Sequence, residues 1–332
     1  MRTEIDILEN EILEKYPEVL DILLRDQTTQ KNIIWATRNY EHLGESYLES
    51  KQIKSDLITG VNGDIIMPRV QKDQILQQSR VKNMAEVFTP SWICNAQNNS
   101  IDNAWFGREN VFNKEILNQK KWITNKAKIQ FPEDKSWKDY INNTRLEITC
   151  GEAPYIISRY DTTTGKYIEV ENRIGLLDRK LRITNENVDE LDQWLEYAKI
   201  AYKNIYAYEW QGDSLLLARE SLLFTFIDNY RYKFNHEPLP KSIQEIAEII
   251  SWNVWQMDGL KGVVPFSCGE IKTKIVNLFG EEETENSFCK GCLSGNILEH
   301  NGIYCLIMDW LEGKKIRFID LLKNKHQSIN DK

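Results

Sequence analysis

Apolar positions along this chain follow two periods, one typical of helices and one typical of strands. Between Ile5 and Leu24 they recur at helical steps, which predicts a pair of amphipathic helices separated near Pro17. The helical period returns over residues 91–105, 154–160, 173–181, 189–202, 213–232 and 242–250. Runs rich in β-branched and aromatic residues predict strands within 57–63, at 145–149, at 205–208, around Val254 and at 315–322.

The order of these elements determines the expected fold. Strand and helix alternate between residues 145 and 254, which favours an α/β fold with a largely parallel, doubly wound, Rossmann-like sheet. Residues 1–80 form an added helical and mixed region, residues 81–265 hold the sheet, and residues 266–332 form a cysteine-rich segment with a terminal strand. The stretch 110–143 is polar and is predicted to consist mainly of loops.

Composition and charge restrict the partners and the location of the protein. The 332 residues carry 42 basic and 50 acidic side chains, and the net charge of −8 opposes nucleic-acid binding over the whole surface. Basic clusters occur at Lys120-Lys121, Arg179-Lys180 and Lys314-Lys315, and a solvated surface is the ordinary explanation for such clusters. With no run of about eighteen apolar residues and no secretory signal, we expect a cytoplasmic protein without a membrane span.

The three predicted strands of the core end in residues that can bind a nucleoside. In an open α/β sheet, ligands bind where strand ends and helix starts converge. Gly151, within Cys150-Gly-Glu-Ala-Pro154, lets the backbone approach a ligand, although a simple strand-to-helix turn is the commoner explanation of this pattern alone. Glu209 can accept hydrogen bonds from ribose hydroxyl groups, or it can be an ordinary helix-start acid. Asp258 can accept a hydrogen bond from the amine of adenine, or it can simply belong to a turn.

Four segments, in order, resemble the cofactor-binding half of γ-class adenine-N6 DNA methyltransferases, including the methylase parts of type I and fused type II restriction enzymes. Glu86-Val-Phe-Thr-Pro90 is similar to the Phe-Thr-Pro segment of that family, and residues 146–154 resemble its glycine-rich first motif. Residues 205–210 resemble the acidic second motif, and residues 253–260 resemble the third. The resemblance implies a methyltransferase fold and an S-adenosylmethionine site formed by Phe88, Thr89, Pro90, Cys150, Gly151, Glu152, Ala153, Pro154, Glu209, Trp210, Asp258, Gly259 and Leu260.

Two departures from the family pattern bear on this cofactor site. Ala153 stands where the first motif commonly has a second glycine, so we expect its methyl group to narrow the approach of the backbone to the donor. The chain between Cys150 and Glu209 is long, which implies a helical insert. The same length opposes a dinucleotide dehydrogenase, whose ribose-binding acid follows its glycines by about 20 residues.

The catalytic Asn-Pro-Pro-Tyr segment of that family is absent, because none of the eight prolines is followed by another. In the family this segment holds the flipped adenine and stacks on it. The resemblance therefore implies a split enzyme, in which this chain binds the methyl donor and a second subunit of a restriction-modification system supplies the catalytic loop and DNA recognition. The alternatives are an inactive methyltransferase-like scaffold or donor sensor, and a zinc-dependent DNA-binding or nuclease-like module built around His300-Asn301.

Four of the six cysteines lie in the C-terminal part of the chain, which favours a metal site over a disulfide framework. Cys289-Lys-Gly-Cys292 is a CxxC pair, and His300 and Cys305 follow it. Two ligands on a tight turn and two further along the chain can complete a tetrahedral structural zinc site, with Cys268 as a spare candidate. Reduced cysteines without a metal are the alternative.

Overall fold

The computed structural model of the protein describes residues 9–72, 89–276 and 282–322. Its helices are α1 Glu9–Lys15, α2 Pro17–Leu24, α3 Ser55–Ile58, α4 Ser91–Phe106, α5 Trp137–Asn142, α6 Leu176–Asn187, α7 Leu191–Lys203, α8 Gly212–Phe234, α9 Pro240–Asn253 and α10 Lys290–Ser294. Its strands are β1 Arg25–Asp26, β2 Lys31–Asn32, β3 Asn113–Ile116, β4 Lys121–Thr124, β5 Arg145–Ile148, β6 Ile205–Glu209, β7 Val254–Gln256, β8 Ile271–Val276, β9 Glu282–Ser287, β10 Leu306–Asp309 and β11 Lys314–Arg317. Phe88 and residues 5–8 of the predicted first helix lie outside the described residues.

A parallel sheet of three strands, in the order β5, β6, β7, organises the molecule. Arg145 pairs with Ile205 and Ala207 pairs with Val254, so the three strands end at the same edge of the sheet. Parallel neighbours need crossover connections, and helices α6 and α7 provide the first while α8 and α9 provide the second. The predicted mixed α/β fold with a parallel sheet is therefore confirmed.

Helix α8 fills one face of the sheet and joins it to the N-terminal helices. Residues 212–230 of this helix are all buried. Its Arg219 donates hydrogen bonds to the backbone carbonyls of Val254 in β7 and of Leu23 in α2. Apolar side chains of α1, α2, α8 and α9 belong to one continuous core. The N-terminal region therefore shares the main hydrophobic core with the sheet.

The opposite face of the sheet is only partly covered. Tyr208 and Trp255 pack there against Ile307, which belongs to the antiparallel β10–β11 hairpin. Ile148 pairs in register with Tyr208, so it points to the same face, and so does Leu146 two residues earlier. Leu146 and Ile148 are nevertheless 46% and 62% exposed. An apolar strip on the edge strand β5 is left open within the described part of the chain.

The structure differs from the predicted elements in three places. Residues 154–160, predicted as a helix, form turns, because the Ser158 N–H donates to the buried Asp178 carboxylate at 2.8 Å instead of to a backbone carbonyl. Residues 57–63, predicted to begin as a strand, contain the end of α3 and a 3-10 turn. The polar stretch 110–143 contains the β3–β4 hairpin and helix α5 rather than loops alone.

Candidate functional site

A cavity of about 670 Å³ opens at the carboxyl ends of β5 and β6. Residues from the loop after β5 and the loop after β6 meet in its wall. Six residues predicted to hold the cofactor line this cavity, namely Thr89, Cys150, Gly151, Pro154, Glu209 and Trp210. The structure thus brings together the ends of the first two predicted strands.

The loop that follows β5 has an unusual backbone. Thr149, Gly151 and Ala153 have φ angles of 46°, 54° and 59°, in the left-handed region that glycine adopts most easily. A non-glycine residue in this region carries strain of about 1–3 kcal/mol, and such strain is common at ligand sites. Ala153 is fully buried in the main core and does not line the cavity, so the expected narrowing by its methyl group is wrong.

Glu209 fixes the geometry where the two loops meet. One carboxylate oxygen accepts the Gly151 N–H at 2.8 Å, and the other accepts the N–H groups of Trp210 at 2.9 Å and Gln211 at 3.2 Å. Burial raises the pKa of Glu209, and the three N–H groups oppose that rise. A carboxylate offers about four lone-pair positions, so one position is left for a ligand hydroxyl group rather than the two expected from the sequence.

Glu147 is a second carboxyl group on the cavity wall. Burial, followed by the nearby negative charge of Glu209, raises the pKa of Glu147 to about 8, although its hydrogen bonds from the Tyr155 and Ile156 N–H groups lower it. Glu147 was not predicted as a site residue because it lies inside β5. The prediction considered only residues at or beyond the strand ends. The described residues that line this cavity include two acids and no lysine, arginine or histidine.

Two more of the residues predicted to hold the cofactor, Glu152 and Pro90, do not line the cavity. The carboxylate of Glu152 accepts the Arg69 N–H at 2.7 Å and the Tyr160 hydroxyl at 2.8 Å, so this side chain joins the N-terminal region to the core. Pro90 directly precedes helix α4 and is not part of the cavity wall, while the adjacent Thr89 is.

The turn after β7 is also separate from the cavity. One oxygen of Asp258 accepts the backbone N–H groups of Leu260 and Lys261, and the other lies 3.4 Å from the Lys261 ammonium nitrogen. Gly259 packs against the Tyr208 ring, where a β-carbon would come within 2.7 Å of a ring atom, and Leu260 is 89% exposed. None of the three lines the cavity, so the third predicted strand end does not contribute to it in this structure.

Cys268, Cys289, Cys292 and His300 form a cluster whose ligand atoms all lie within 4.8 Å of one another. The sulfur of Cys268 is 3.2 Å from that of Cys289 and 3.5 Å from that of Cys292, and the His300 Nδ1 is 3.4 Å from the Cys289 sulfur. Four ligands around zinc with Zn–S bonds of about 2.3 Å stand roughly 3.7 Å apart, so this donor set fits a tetrahedral metal ion such as zinc.

Local structure supports this cysteine–histidine cluster. Burial alone raises the pKa of Cys289, but the Asn301 N–H, at 3.3 Å from its sulfur, and the neighbouring cluster groups lower it to about 6. The thiolate is the form that binds metals. Gly291 lies so close to His300 that a β-carbon on residue 291 would be 2.7 Å from both the backbone nitrogen and the Nδ1 of His300. This close approach explains the glycine inside the CxxC turn.

Cys305 is not part of this cluster, and the predicted ligand set is corrected accordingly. Its thiol is fully buried with Tyr208 and Trp255 and donates to the Gln256 carbonyl at 3.4 Å. Burial raises the pKa of Cys305 well above its usual value. Cys268 takes the position that the sequence interpretation gave to Cys305.

Comparisons with protein-family models, with curated proteins and with solved structures found no match to this chain. Among the helices in the described ranges, none has both the length and the apolar character that a membrane span requires. Function must therefore be inferred from the cavity, the sheet and the cysteine–histidine cluster.

Proposed function

We propose that this chain is the S-adenosylmethionine-binding subunit of a split adenine-N6 DNA methyltransferase with a Rossmann-like fold, acting in a restriction-modification system. The observation that carries the proposal is the cavity in which Gly151 and Glu209 meet at the carboxyl ends of two adjacent parallel strands. Ligand sites in open α/β folds form at this edge. The order of the methyltransferase-like segments along the chain gives independent support.

The charge of the cavity favours a cationic nucleoside over a dinucleotide or a nucleoside triphosphate. Phosphate groups need cations or clustered N–H donors, whereas the described wall contains Glu147, Glu209 and no basic side chain. S-adenosylmethionine carries a sulfonium and an ammonium group, which both carboxyl groups can stabilise. The one ligand-binding position left on Glu209 suits a ribose hydroxyl group.

The proposal places the catalytic step on a second subunit. Methyl transfer depends on holding the adenine nitrogen in line with the donor methyl group, and the Asn-Pro-Pro-Tyr segment that does this is absent. Parallel sheets are normally covered on both faces, yet Leu146 and Ile148 on β5 are exposed. We assign the exposed apolar strip of Leu146 and Ile148, which also lines the cavity, to contact with the partner, because the partner's catalytic loop must reach this cavity. DNA is bound mainly through that complex, in the cytoplasm.

Co-expression tests the split enzyme. This chain is combined with a candidate subunit that carries Asn-Pro-Pro-Tyr, and transfer of a labelled methyl group from S-adenosylmethionine to DNA is measured. We expect transfer by the pair and none by either chain alone. Transfer by this chain alone contradicts the split, while donor binding without transfer in any combination favours the scaffold or donor-sensor alternative.

Replacing Glu209 by alanine is expected to weaken S-adenosylmethionine binding by about 10- to 100-fold, because a buried hydrogen bond to a charged group is worth about 1.5–3 kcal/mol. Calorimetry on the isolated chain measures this change. Glu209→Gln keeps one acceptor oxygen, so its affinity is expected to lie between those of wild type and Glu209→Ala. Thermal unfolding controls for the lost Gly151 contact. Equal affinity for all three proteins contradicts the assignment of the ribose to Glu209.

The affinity for S-adenosylmethionine is expected to rise with pH up to about 8. The pKa of Glu147 is raised to about 8, so this group is mostly protonated at neutral pH, and a bound cation favours its ionised form. A linked proton changes affinity by up to about tenfold per pH unit below that pKa. Calorimetry between about pH 6 and 8 measures how the affinity changes with pH. Glu147→Gln is expected to remove this dependence. A slope that persists in Glu147→Gln assigns the proton to another group.

We propose a structural role for zinc in the cysteine–histidine cluster. With three cysteines and one histidine around the site, no ligand position remains for substrate, as is usual in structural zinc sites. The nuclease-like alternative needs His300 as a free base, whereas its Nδ1 faces three sulfur atoms. The geometry therefore favours a metal ligand over a catalytic histidine.

A further inference from the structure

A second cavity, of about 480 Å³, lies beside the first, and Trp210 lines both. Its wall combines residues 36–39 of the N-terminal region with Trp210 and Phe266. None of the N-terminal residues in this wall was identified from the sequence. The N-terminal region therefore forms part of a concave surface that continues from the candidate donor site.

Two aromatic side chains give this second cavity an apolar wall. The rings of Trp210 and Phe266 lie 5.3 Å apart, centroid to centroid, and are nearly perpendicular at 80°. The Trp210 Nε1 donates to the Ala36 carbonyl at 2.9 Å, which fixes the indole. Phe266 is 49% exposed, and its φ of 59° is unusual for a bulky residue. A flat ring can stack on one of these side chains and meet the edge of the other.

Asn39, which also lines this second cavity, carries a polar group without a partner in the described part of the chain. The Asn39 Nδ2 is buried and has no hydrogen-bond partner among the described residues. An unsatisfied buried donor is unfavourable, and a ligand acceptor can recover that cost. An asparagine carboxamide pairs with adenine in particular, because it donates to a ring nitrogen and accepts from the adjacent amine. Arg38, on the same wall, already pairs with Glu49 at 3.0 Å, which does not favour a phosphate group here.

We propose that this second cavity binds the adenine ring of the methyl donor, with Trp210 and Phe266 contacting the ring and Asn39 reading its edge. The proposal rests on the proposed donor function. Glu209 and Trp210 are neighbours in the chain, with α-carbons about 3.8 Å apart. The ribose and the base are likewise neighbours in the ligand, joined by one bond. A nucleoside whose ribose reaches Glu209 can therefore place its base beside Trp210.

This assignment replaces the role that the sequence interpretation gave to Asp258. The carboxylate of Asp258 is engaged by its own turn and by Lys261, and it lines neither cavity. The N-terminal region thus acquires a function as the wall of the base-binding site. Asn39 becomes the specificity-determining residue for adenine, and Phe266 contributes a stacking contact that any base can make.

Calorimetry on the full chain with S-adenosylhomocysteine, adenosine and inosine tests the proposal. We expect Asn39→Ala and Phe266→Ala each to weaken S-adenosylhomocysteine and adenosine by about tenfold, as the loss of one hydrogen bond or one stacking contact predicts. Inosine, whose oxo group replaces the amine, is expected to bind wild type about tenfold more weakly than adenosine, and Asn39→Ala is expected to remove that difference. Asp258→Asn is the matched control and is expected to bind like wild type.

The outcomes separate this proposal from the donor function. Suppose that Asp258→Asn weakens the binding of S-adenosylhomocysteine while Asn39→Ala and Phe266→Ala do not. This result supports the donor site and overturns the second cavity as the base site. Binding of adenosine that depends on Phe266 and Asn39, with no gain from the homocysteine part, supports the base site and overturns the donor function. Absence of binding by all three ligands to folded wild type overturns both.

Discussion

Replacing Cys268 by alanine is expected to abolish retention of a stoichiometric zinc ion, while Cys305→Ala retains one zinc per chain. Cys268 supplies one of the four donor atoms in the cysteine–histidine cluster, and the Cys305 thiol is buried elsewhere. Even residues that only orient metal ligands contribute about 10- to 100-fold to affinity, so loss of a direct ligand should cost at least about 100-fold. Metal analysis of the purified variants and competition with a chelator measure the change.

Cys305→Ala is a demanding control because this residue is fully buried. It removes a small apolar contact and a weak thiol hydrogen bond, so we expect a stability loss of about 1 kcal/mol with the metal retained. Zinc loss in Cys305→Ala together with zinc retention in Cys268→Ala restores the ligand set predicted from the sequence. Wild-type protein purified without zinc, and unable to bind it when it is added, contradicts the metal site altogether.

The parts of the fold that the sequence predicted are those governed by local pattern. The period over 242–250 predicted α9, because a helix that packs one face against a core repeats its apolar positions locally. The period over 213–232 also predicted α8, although residues 212–230 of this helix are buried on every side. Residues 154–160 show the limit of this rule. Their apolar spacing suits a helix, but the distant Asp178 carboxylate accepts the Ser158 N–H, and no local pattern encodes that competition.

The candidate site divides in the same way. Glu209 ends β6 and Gly151 lies three residues after β5, so the parallel order of β5 and β6 was enough to predict that they meet. The choice of Cys268 over Cys305 was not accessible, because it depends on the β8–β9 hairpin. Ile271 pairs with Ser287 in that hairpin, which places Cys268 and Cys289 beside each other at its open end. Sequence spacing alone favoured the cysteine nearest to His300.

A buried ion triad holds the segment that carries the cavity loop. The carboxylate of Asp228, in α8, accepts from the Arg159 Nε at 2.9 Å and from the Arg173 Nη2 at 2.6 Å. Arg159 follows the loop after β5, and Arg173 lies three residues before the start of helix α6. One carboxylate therefore connects both ends of the turn-rich segment between β5 and α6 to the central helix of the core.

Asp228→Ala is expected to lower the free energy of unfolding by about 3–5 kcal/mol at pH 7, because it removes the carboxylate that two buried guanidinium groups contact. Urea unfolding measures this loss. Asp189→Ala is the matched control, since Asp189 also contacts a basic side chain, that of Lys233, but its own side chain is 96% exposed. An exposed pair contributes about 0–1 kcal/mol, so the control should unfold nearly like wild type.

The pH dependence of stability provides an independent check on Asp228. Burial alone raises its pKa, but Arg159 and Arg173 outweigh that effect and lower it from 3.8 to about 2. A carboxyl group with a lowered folded-state pKa stabilises the fold above its unfolded-state pKa and loses this contribution as pH falls toward the folded value. The stability difference between wild type and Asp228→Ala is therefore expected to be constant above about pH 5 and to shrink between about pH 4 and 2. A difference that is unchanged by acid assigns the effect of the substitution to lost packing rather than to charge.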